Sequence, residues 1–317
     1  MILCLVEHAG GAPSDLSLQA LTLARRLGEP LEAVLIGEEG RDAAAALGAF
    51  GASRVHLVVD DRLAAYAPAA WGECLVGLIG EHAPQAVVAA ATDRGHEALA
   101  YAGARLDLPL AANCVDVRPG PDYELIRQRW GGSLLEEARL SGSTRLLTLA
   151  PHVVAAEQAP SPATAAVEEV RPALGDEAFR ARVVRREEPE AGVIQLTDAR
   201  VVVGGGRGVG SAEGFAVLEE LAGLLGGAVG GSRVVTNLGW RAHADQIGQT
   251  GARIAPELYI ACGVSGAIQH MVGAKGAKRI LAINKDRDAP LVARATYAVI
   301  GDLHEVVPAI VAELRKE

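Results

Sequence analysis

Short apolar runs alternate with helix-periodic segments twice along this chain, and that alternation limits the fold more than any other feature. From the N-terminus, 2–6, 31–36, 54–59 and 86–90 read as strands, and 16–27, 41–47, 67–81 and 93–106 read as helices. The strands are continuously apolar, not alternating in polarity, so burial on both faces is expected. Helices on either side then give a doubly wound, mostly parallel sheet. The pattern restarts with a strand at 200–203 and a helix over 211–225 with Ser211 as its N-cap. Strands at 258–261, 279–283 and 298–300 and a helix over 305–314 complete it. Between the two blocks, 124–130 and 145–149 read as antiparallel strands at the sheet edge, 152–164 as an exposed loop and 183–186 as a last strand. The polar, proline-containing stretch 187–192 reads as a linker. The prediction is therefore two α/β domains, 1–189 and 190–317.

A chain of 317 residues buries enough surface to need no disulfide or metal staple. Aromatic residues are only 3%, so the core has to be built from Ala, Val, Leu and Ile. Cys4, Cys74, Cys114 and Cys262 are far apart, with no C-x-x-C pair and no zinc spacing. They read as buried thiols of a reducing compartment. The N-terminus shows no basic region or cleavage site, and no apolar run reaches membrane-spanning length, so a cytoplasmic protein without membrane insertion is expected. Residues 1–198 carry 17 Lys/Arg against 28 Asp/Glu, which argues against nucleic-acid binding; 199–317 carry 13 against 11 and can accept an anion.

Chemistry-bearing motifs concentrate in the second block. The run GGGRGVG at 204–210 sits between a strand and a helix, where glycines let backbone N–H groups approach a phosphate. The dinucleotide fingerprint fails, because its third glycine falls on Ser211 or Val209 according to the start taken. A phosphate-binding turn and a tight structural turn both remain open; Arg207 inside the run favours an anion. Ser232-Arg233 follows an apolar, glycine-rich stretch, which predicts a partly buried Arg233. The segment QIGQTG spans 246–251. Residues 258–270 place a Ser-Gly turn after an apolar strand and His270 at the start of the following helix. Asn284 and Asp302 fall at the equivalent rim, where open α/β sheets bind ligands. His8, His56, His82, His96 and His152 are scattered and read as solvated or structural. No G-x-S-x-G elbow and no carboxylate pair for glycoside chemistry is present.

Taken in order, VVVGGGRG at 201–208, GSR at 231–233, QIGQTG at 246–251, PELYIA at 256–261, VSGAIQH at 264–270, AINKD at 282–286 and Ala289-Pro290 resemble the alpha subunit of electron transfer flavoprotein. The match covers nearly all of 200–317; the first 190 residues agree in length and α/β pattern. The resemblance implies a C-terminal Rossmann-like domain carrying most contacts to one FAD. By motif these are Arg207, Ser232, Arg233, Ile247, Gly248, Gln249, Thr250, Ser265, Gly266, Ala267, Ile268, Gln269, His270, Asn284, Asp302 and Leu303, with Thr250 near flavin N5 and His270 near O2. It also implies an electron carrier, not a stand-alone enzyme. The N-terminal domain and the 112–187 region would bind an electron transfer flavoprotein beta subunit. Flavoprotein dehydrogenases, such as acyl-CoA dehydrogenases of fatty acid beta-oxidation, would be donors, and a quinone reductase or another protein the acceptor. The linker would let the FAD domain swing between them. One departure is Ala242, where the family usually has proline. Three rival readings are an electron-bifurcating flavoprotein subunit, an NAD-dependent dehydrogenase and a nucleotide-binding regulatory module.

Overall fold

The computed structural model describes residues 1–28, 30–162, 164–185 and 194–316. They fall into two compact units, the first within Met1–Trp130 and Leu134–Glu187, the second within Gly131–Ser133 and Glu188–Glu317. The expected linker, 187–192, lies outside the described residues.

The N-terminal unit follows the β/α alternation of the sequence: β1 Ile2–Leu5, α1 Asp15–Leu27, β2 Leu31–Ile36, α2 Arg41–Leu47, β3 Arg54–Val58, α3 Pro68–His82, β4 Ala86–Ala90 and α4 Asp93–Leu106. Five more strands follow: β5 Leu110–Arg118, β6 Tyr123–Arg129, β7 Leu134–Leu140, β8 Arg145–Leu149 and β9 Ala166–Val170. Among the described residues they form one nine-stranded sheet, in the order β9-β3-β2-β1-β4-β8-β5-β6-β7. Only the β5-β6 and β6-β7 pairs are antiparallel. Residues of β1 show why its apolar run is continuous. Ile2 and Cys4 pack beneath α1 and α2, whereas Leu3 and Leu5 pack beneath α3 and α4. A strand covered on both faces has no place for an alternating polar residue.

Two expectations about this unit need correction. Arg145–Leu149 is not an antiparallel edge strand; it runs parallel between β4 and β5, and Leu146, Leu147 and Leu149 are buried. Its unbroken apolar run is the signature of an interior strand. The edges are instead β7 and β9; on β9, Glu168 and Glu169 face solvent and engage Arg54 and Arg41. Charges on an edge strand oppose pairing with other chains. Residues 183–185 form no strand, although the Val183 N–H donates to the Tyr66 carbonyl at 2.8 Å. His56 takes the structural of its two readings: it is buried, with Nε2 2.6 Å from the Glu32 carboxylate. All four cysteines are buried and free.

The C-terminal unit contains β10 Val201–Gly205, α5 Ala216–Leu224, β11 Ala228–Gly231, α6 Arg233–Asn237, β12 Leu258–Cys262, α7 Ile268–Ala274, β13 Ile280–Asn284, β14 Tyr297–Ile300 and α8 Leu303–Leu314. Its five strands are all parallel, in the order β11-β10-β12-β13-β14. Val202, Tyr259, Ala261 and Ala282 pack against α7 on one face; Val203, Ile260, Cys262 and Ile283 pack against α5 and α8 on the other. The helix expected from Ser211 starts later: Ser211 Oγ accepts from the Gly214 N–H at 3.2 Å ahead of a 3-10 turn at Glu213–Phe215, and α5 begins only at Ala216.

Candidate functional site

In the C-terminal unit the chain runs outward from β10 to β11, then returns to the opposite side of β10 to lay down β12. Loops leaving the two sides diverge at that reversal. A crevice opens there at the carboxyl ends of the strands, the usual ligand position of an open parallel sheet. A cavity of about 700 Å3 occupies it, lined by the segments that follow β10, β11, β12 and β13 and by the 246–250 loop. That volume falls within the about 300–1,000 Å3 of small-molecule sites.

The glycine run resolves toward its structural reading. Gly206 N–H donates to the Cys262 carbonyl at 2.9 Å and Gly208 N–H to the Gly263 carbonyl at 3.2 Å. Val209 and Gly210 donate back into the run, to Gly206 and Arg207. These amides are committed, so the run is not an open cradle. Its glycines serve close approach instead: a Cβ on Gly206 would stand 2.2 Å from the Gly263 carbonyl oxygen, and one on Gly208 would stand 2.8 Å from Gly263 Cα. What the run offers the crevice is the Arg207 side chain. Arg207 and Arg233 both line the cavity, are exposed, and have no carboxylate within ion-pair distance among the described residues. Arg233 is therefore not the partly buried residue its apolar context predicts, because it opens α6 just past the strand end.

The turn after β12 is braced from below. Asn284 Nδ2 donates to the Val264 carbonyl at 3.0 Å, while its Oδ1 accepts from the Asp286 N–H at 3.0 Å. Gly266 has φ +82°, and a side chain there would strike the Leu291 backbone. The N-cap of α7, Ala267, makes no side-chain cap; among the described residues the Ile268 and Gln269 N–H groups have no partner, whereas the His270 N–H donates to the Ala267 carbonyl at 2.9 Å. Ser265, Ala267, Gln269 and His270 line the cavity next to those amides.

The 246–251 loop forms the facing wall. It is tied by the Ile247 N–H to the Gly231 carbonyl at 2.8 Å and by the Gln249 N–H to the Gln269 carbonyl at 2.8 Å. Gln246 is buried; its Oε1 accepts from Thr236 at 2.8 Å and its Nε2 donates to Thr250 Oγ1 at 3.0 Å. Because the Thr250 oxygen accepts that amide proton, the Thr250 hydroxyl hydrogen stays free to donate elsewhere.

His270 is 7% exposed, with Nε2 2.8 Å from Tyr259 Oη. Burial pushes its pKa down to about 4, and the Ile247 carbonyl works weakly against that shift. Nδ1 has no partner at hydrogen-bond distance and angle among the described residues.

The crevice brings together Arg207, Ser232, Arg233, Ile247, Gly248, Gln249, Thr250, Ser265, Ala267, Gln269, His270 and Asn284. Gly266, Ile268, Asp302 and Leu303 do not line it. Ile268 points outward at 61% exposure, and Leu303 packs into the core. Asp302 caps α8, accepting from the His304 N–H at 3.0 Å, and the Lys285 ammonium 2.7 Å away holds its carboxyl below the usual range. Sequence reasoning missed Gln246, Asn237, Asp286 and Ala289 as lining residues. Gln246 could have been found, since it opens the QIGQTG motif. A second cavity, about 660 Å3, lies on the N-terminal unit beside Arg62 and Phe179 and contains none of the motif residues. Among the described residues there is no metal-binding cluster, and no helix is long and apolar enough to cross a membrane.

Residues 2–174 match the family model described as the electron transfer flavoprotein domain, and 195–275 match the electron transfer flavoprotein FAD-binding domain. The electron transfer flavoprotein subunit alpha of Mycobacterium tuberculosis (strain ATCC 25618 / H37Rv) is 41% identical, over 99% of this chain and 98% of that protein. That of Mycobacterium leprae (strain TN) is 40% identical over 96% and 95%. That of Megasphaera elsdenii is 33% identical over 100% and 96%.

Proposed function

The chain belongs to the family of electron transfer flavoprotein alpha subunits, and from that premise we propose that it pairs with a beta subunit and carries electrons on one FAD held in the C-terminal crevice. The N-terminal unit would be the platform for the beta subunit. Flavoprotein dehydrogenases, acyl-CoA dehydrogenases among them, would donate the electrons, and a quinone reductase or another protein would accept them.

The observation that carries this reading is the convergence, on one crevice of about 700 Å3, of two guanidiniums with no ion-pair partner among the described residues, the Ile268 and Gln269 amides at the start of α7 and a hydroxyl with a free proton. Those groups suit a large anionic dinucleotide. Fixed positive charge from Arg207 and Arg233 favours phosphate and any negative charge placed beside it. Thr250 and the α7 amides supply hydrogen-bond donors for ring and phosphate acceptors. The proposed contact set is the motif set, including Gly266, Ile268, Asp302 and Leu303. FAD, when bound, supplies the electron-accepting and electron-donating chemistry; the chain binds it, orients it and sets its electrostatic surroundings.

The test is to purify the chain with a beta-type subunit and count flavins by visible absorbance after release. One FAD per heterodimer, reduced by an acyl-CoA dehydrogenase and its substrate, is expected. A colourless heterodimer that takes up no added FAD would overturn the reading. Two flavins per heterodimer would move it to a bifurcating assembly.

A further inference from the structure

We infer that Tyr259, which lies behind the crevice and does not line it, is a positioning residue: its hydroxyl donates to His270 Nε2 and so fixes the ring's single proton on Nδ1. The inference deepens the reading above and rests on it for what that proton serves. Tyr259 is fully buried in β12, and the one hydrogen-bond partner of its Oη among the described residues is His270 Nε2, at 2.8 Å. Buried polar hydrogens find acceptors. Were Nε2 to carry the ring proton and donate to Oη, the phenol hydrogen would have nowhere to go. With the phenol donating, both atoms are satisfied, and the one hydrogen of a neutral imidazole has to sit on Nδ1. Burial keeps both groups in those forms, raising the phenol and lowering the imidazole to about 4.

The hydroxyl's place is built by a neighbouring strand. A Cβ on Gly204, in β10, would stand 2.4 Å from Tyr259 Oη and 2.6 Å from its Cε2, so only glycine leaves the phenol room. The same arrangement leaves Nδ1–H as a buried donor without a full partner, with the Ile247 carbonyl acting on the ring, in a side chain that lines the crevice. Tyr259 thereby sets which nitrogen of His270 carries the donor at the crevice wall, without touching the flavin itself.

Ring-nitrogen NMR of the chain labelled with 15N-histidine, purified with its beta-type partner with and without FAD, reads the tautomer directly. His270 signals are assigned by their loss in His270→Gln. The native protein is expected to show Nδ1–H. Tyr259→Phe, which keeps the ring's volume, is expected to show mixed tautomers and about 2- to 10-fold weaker FAD binding. A native Nε2–H tautomer overturns the inference, and so does a Tyr259→Phe protein whose His270 keeps a single Nδ1–H form. Should Tyr259→Phe fail to fold, the native spectrum decides alone. If the native heterodimer takes up no FAD, the functional reading fails, while the tautomer remains readable in the same sample.

Discussion

Gly206→Ala tests how the crevice is built. The added Cβ would stand 2.2 Å from the Gly263 carbonyl oxygen and 2.6 Å from Val264 Cα. Both are backbone atoms of a turn that is itself pinned, by the Gly263 N–H to the Ile283 carbonyl at 2.9 Å and by Asn284. Non-bonded carbon contacts settle near 3.5–4.0 Å, so the two turns have to part by roughly 1 Å. That movement strains the two hydrogen bonds from Gly206 and Gly208 to the Cys262 and Gly263 carbonyls. Overpacking costs about 1–3 kcal/mol and each of the two loosened hydrogen bonds about 0.5–1.5, for a total of about 2–6 kcal/mol. The parted turns are also walls of the crevice, so FAD occupancy falls with stability. Gly223→Ala is the control. It lies in α5 with open space around its Cβ position, and Ala there stabilises by about 0.5–1 kcal/mol. Urea unfolding of the heterodimer, followed alongside flavin content, reads both. The reasoning is refuted if Gly206→Ala keeps the parent midpoint and a full complement of FAD.

Four further outcomes are expected. Thr250→Ala retains FAD but binds it less tightly by about 0.5–1.5 kcal/mol and shifts its midpoint potential; a redox titration identical to the parent's removes Thr250 from the contact set. Arg233→Gln weakens FAD binding by about 1 kcal/mol at low salt and by less at high salt, because the guanidinium is exposed and screened; a loss that does not change with ionic strength would contradict this. His270, with its pKa pushed down to about 4 by burial, binds its proton more weakly folded than unfolded. Its contribution is therefore full above about pH 6.5 and lost as pH falls toward 4, reaching about 2 kcal/mol of loss at pH 5; His270→Asn should flatten that slope in urea midpoints taken from pH 7 to 5. Burial pushes the Glu7 carboxyl up despite the Thr92 hydroxyl bonded to it, so ionising Glu7 opposes folding. Glu7→Gln should then be more stable than the parent at pH 7, with the gain vanishing in acid; equal gains at both pH values would rule out ionisation as the cause.

Much of the fold was legible because apolar runs record how many faces of a strand are covered. Ile2–Leu5 and Ala86–Ala90 are buried throughout, and both read as strands without help. Arg145–Leu149 carries the same signal, yet follows a polar hairpin in the chain, and sequence proximity to that hairpin misplaced it at the edge. β9 was illegible for the opposite reason: an edge strand with Glu168 and Glu169 outward has almost no buried face to record. At the site, motif spacing located the crevice residues, because glycines and strand ends fix where loops emerge. It did not reveal their loads. That the amides of the glycine run are spent on Cys262 and Gly263, or that Asn284 Nδ2 is occupied by the Val264 carbonyl, depends on contacts between segments far apart in sequence.

Both units are doubly wound, so both have a point where the winding reverses, and comparing the two shows what fits one of them for an anionic ligand. In the N-terminal unit the reversal lies between β1 and β4. β1 is followed by Glu7, whose carboxylate accepts the Thr92 hydroxyl at the start of α4; Thr92 Oγ1 in turn accepts the Gly95 N–H at 2.9 Å. The helix end that could have received a phosphate is thus capped from within, and an acceptor-only carboxylate stands beside it, with Arg94 and Asp93 acting on it in opposite senses. In the C-terminal unit the position after β10 is Gly206, the neighbouring turn holds Gly263 and Ser265, no side chain caps α7, and the nearby side chains Arg207 and Arg233 carry unpaired positive charge. The two sheets offer the same location. An acid and a capped helix close it to phosphate in one, whereas glycine and open amides leave it available in the other, so the ligand chemistry follows from the few residues ending the central strands and not from the fold they share.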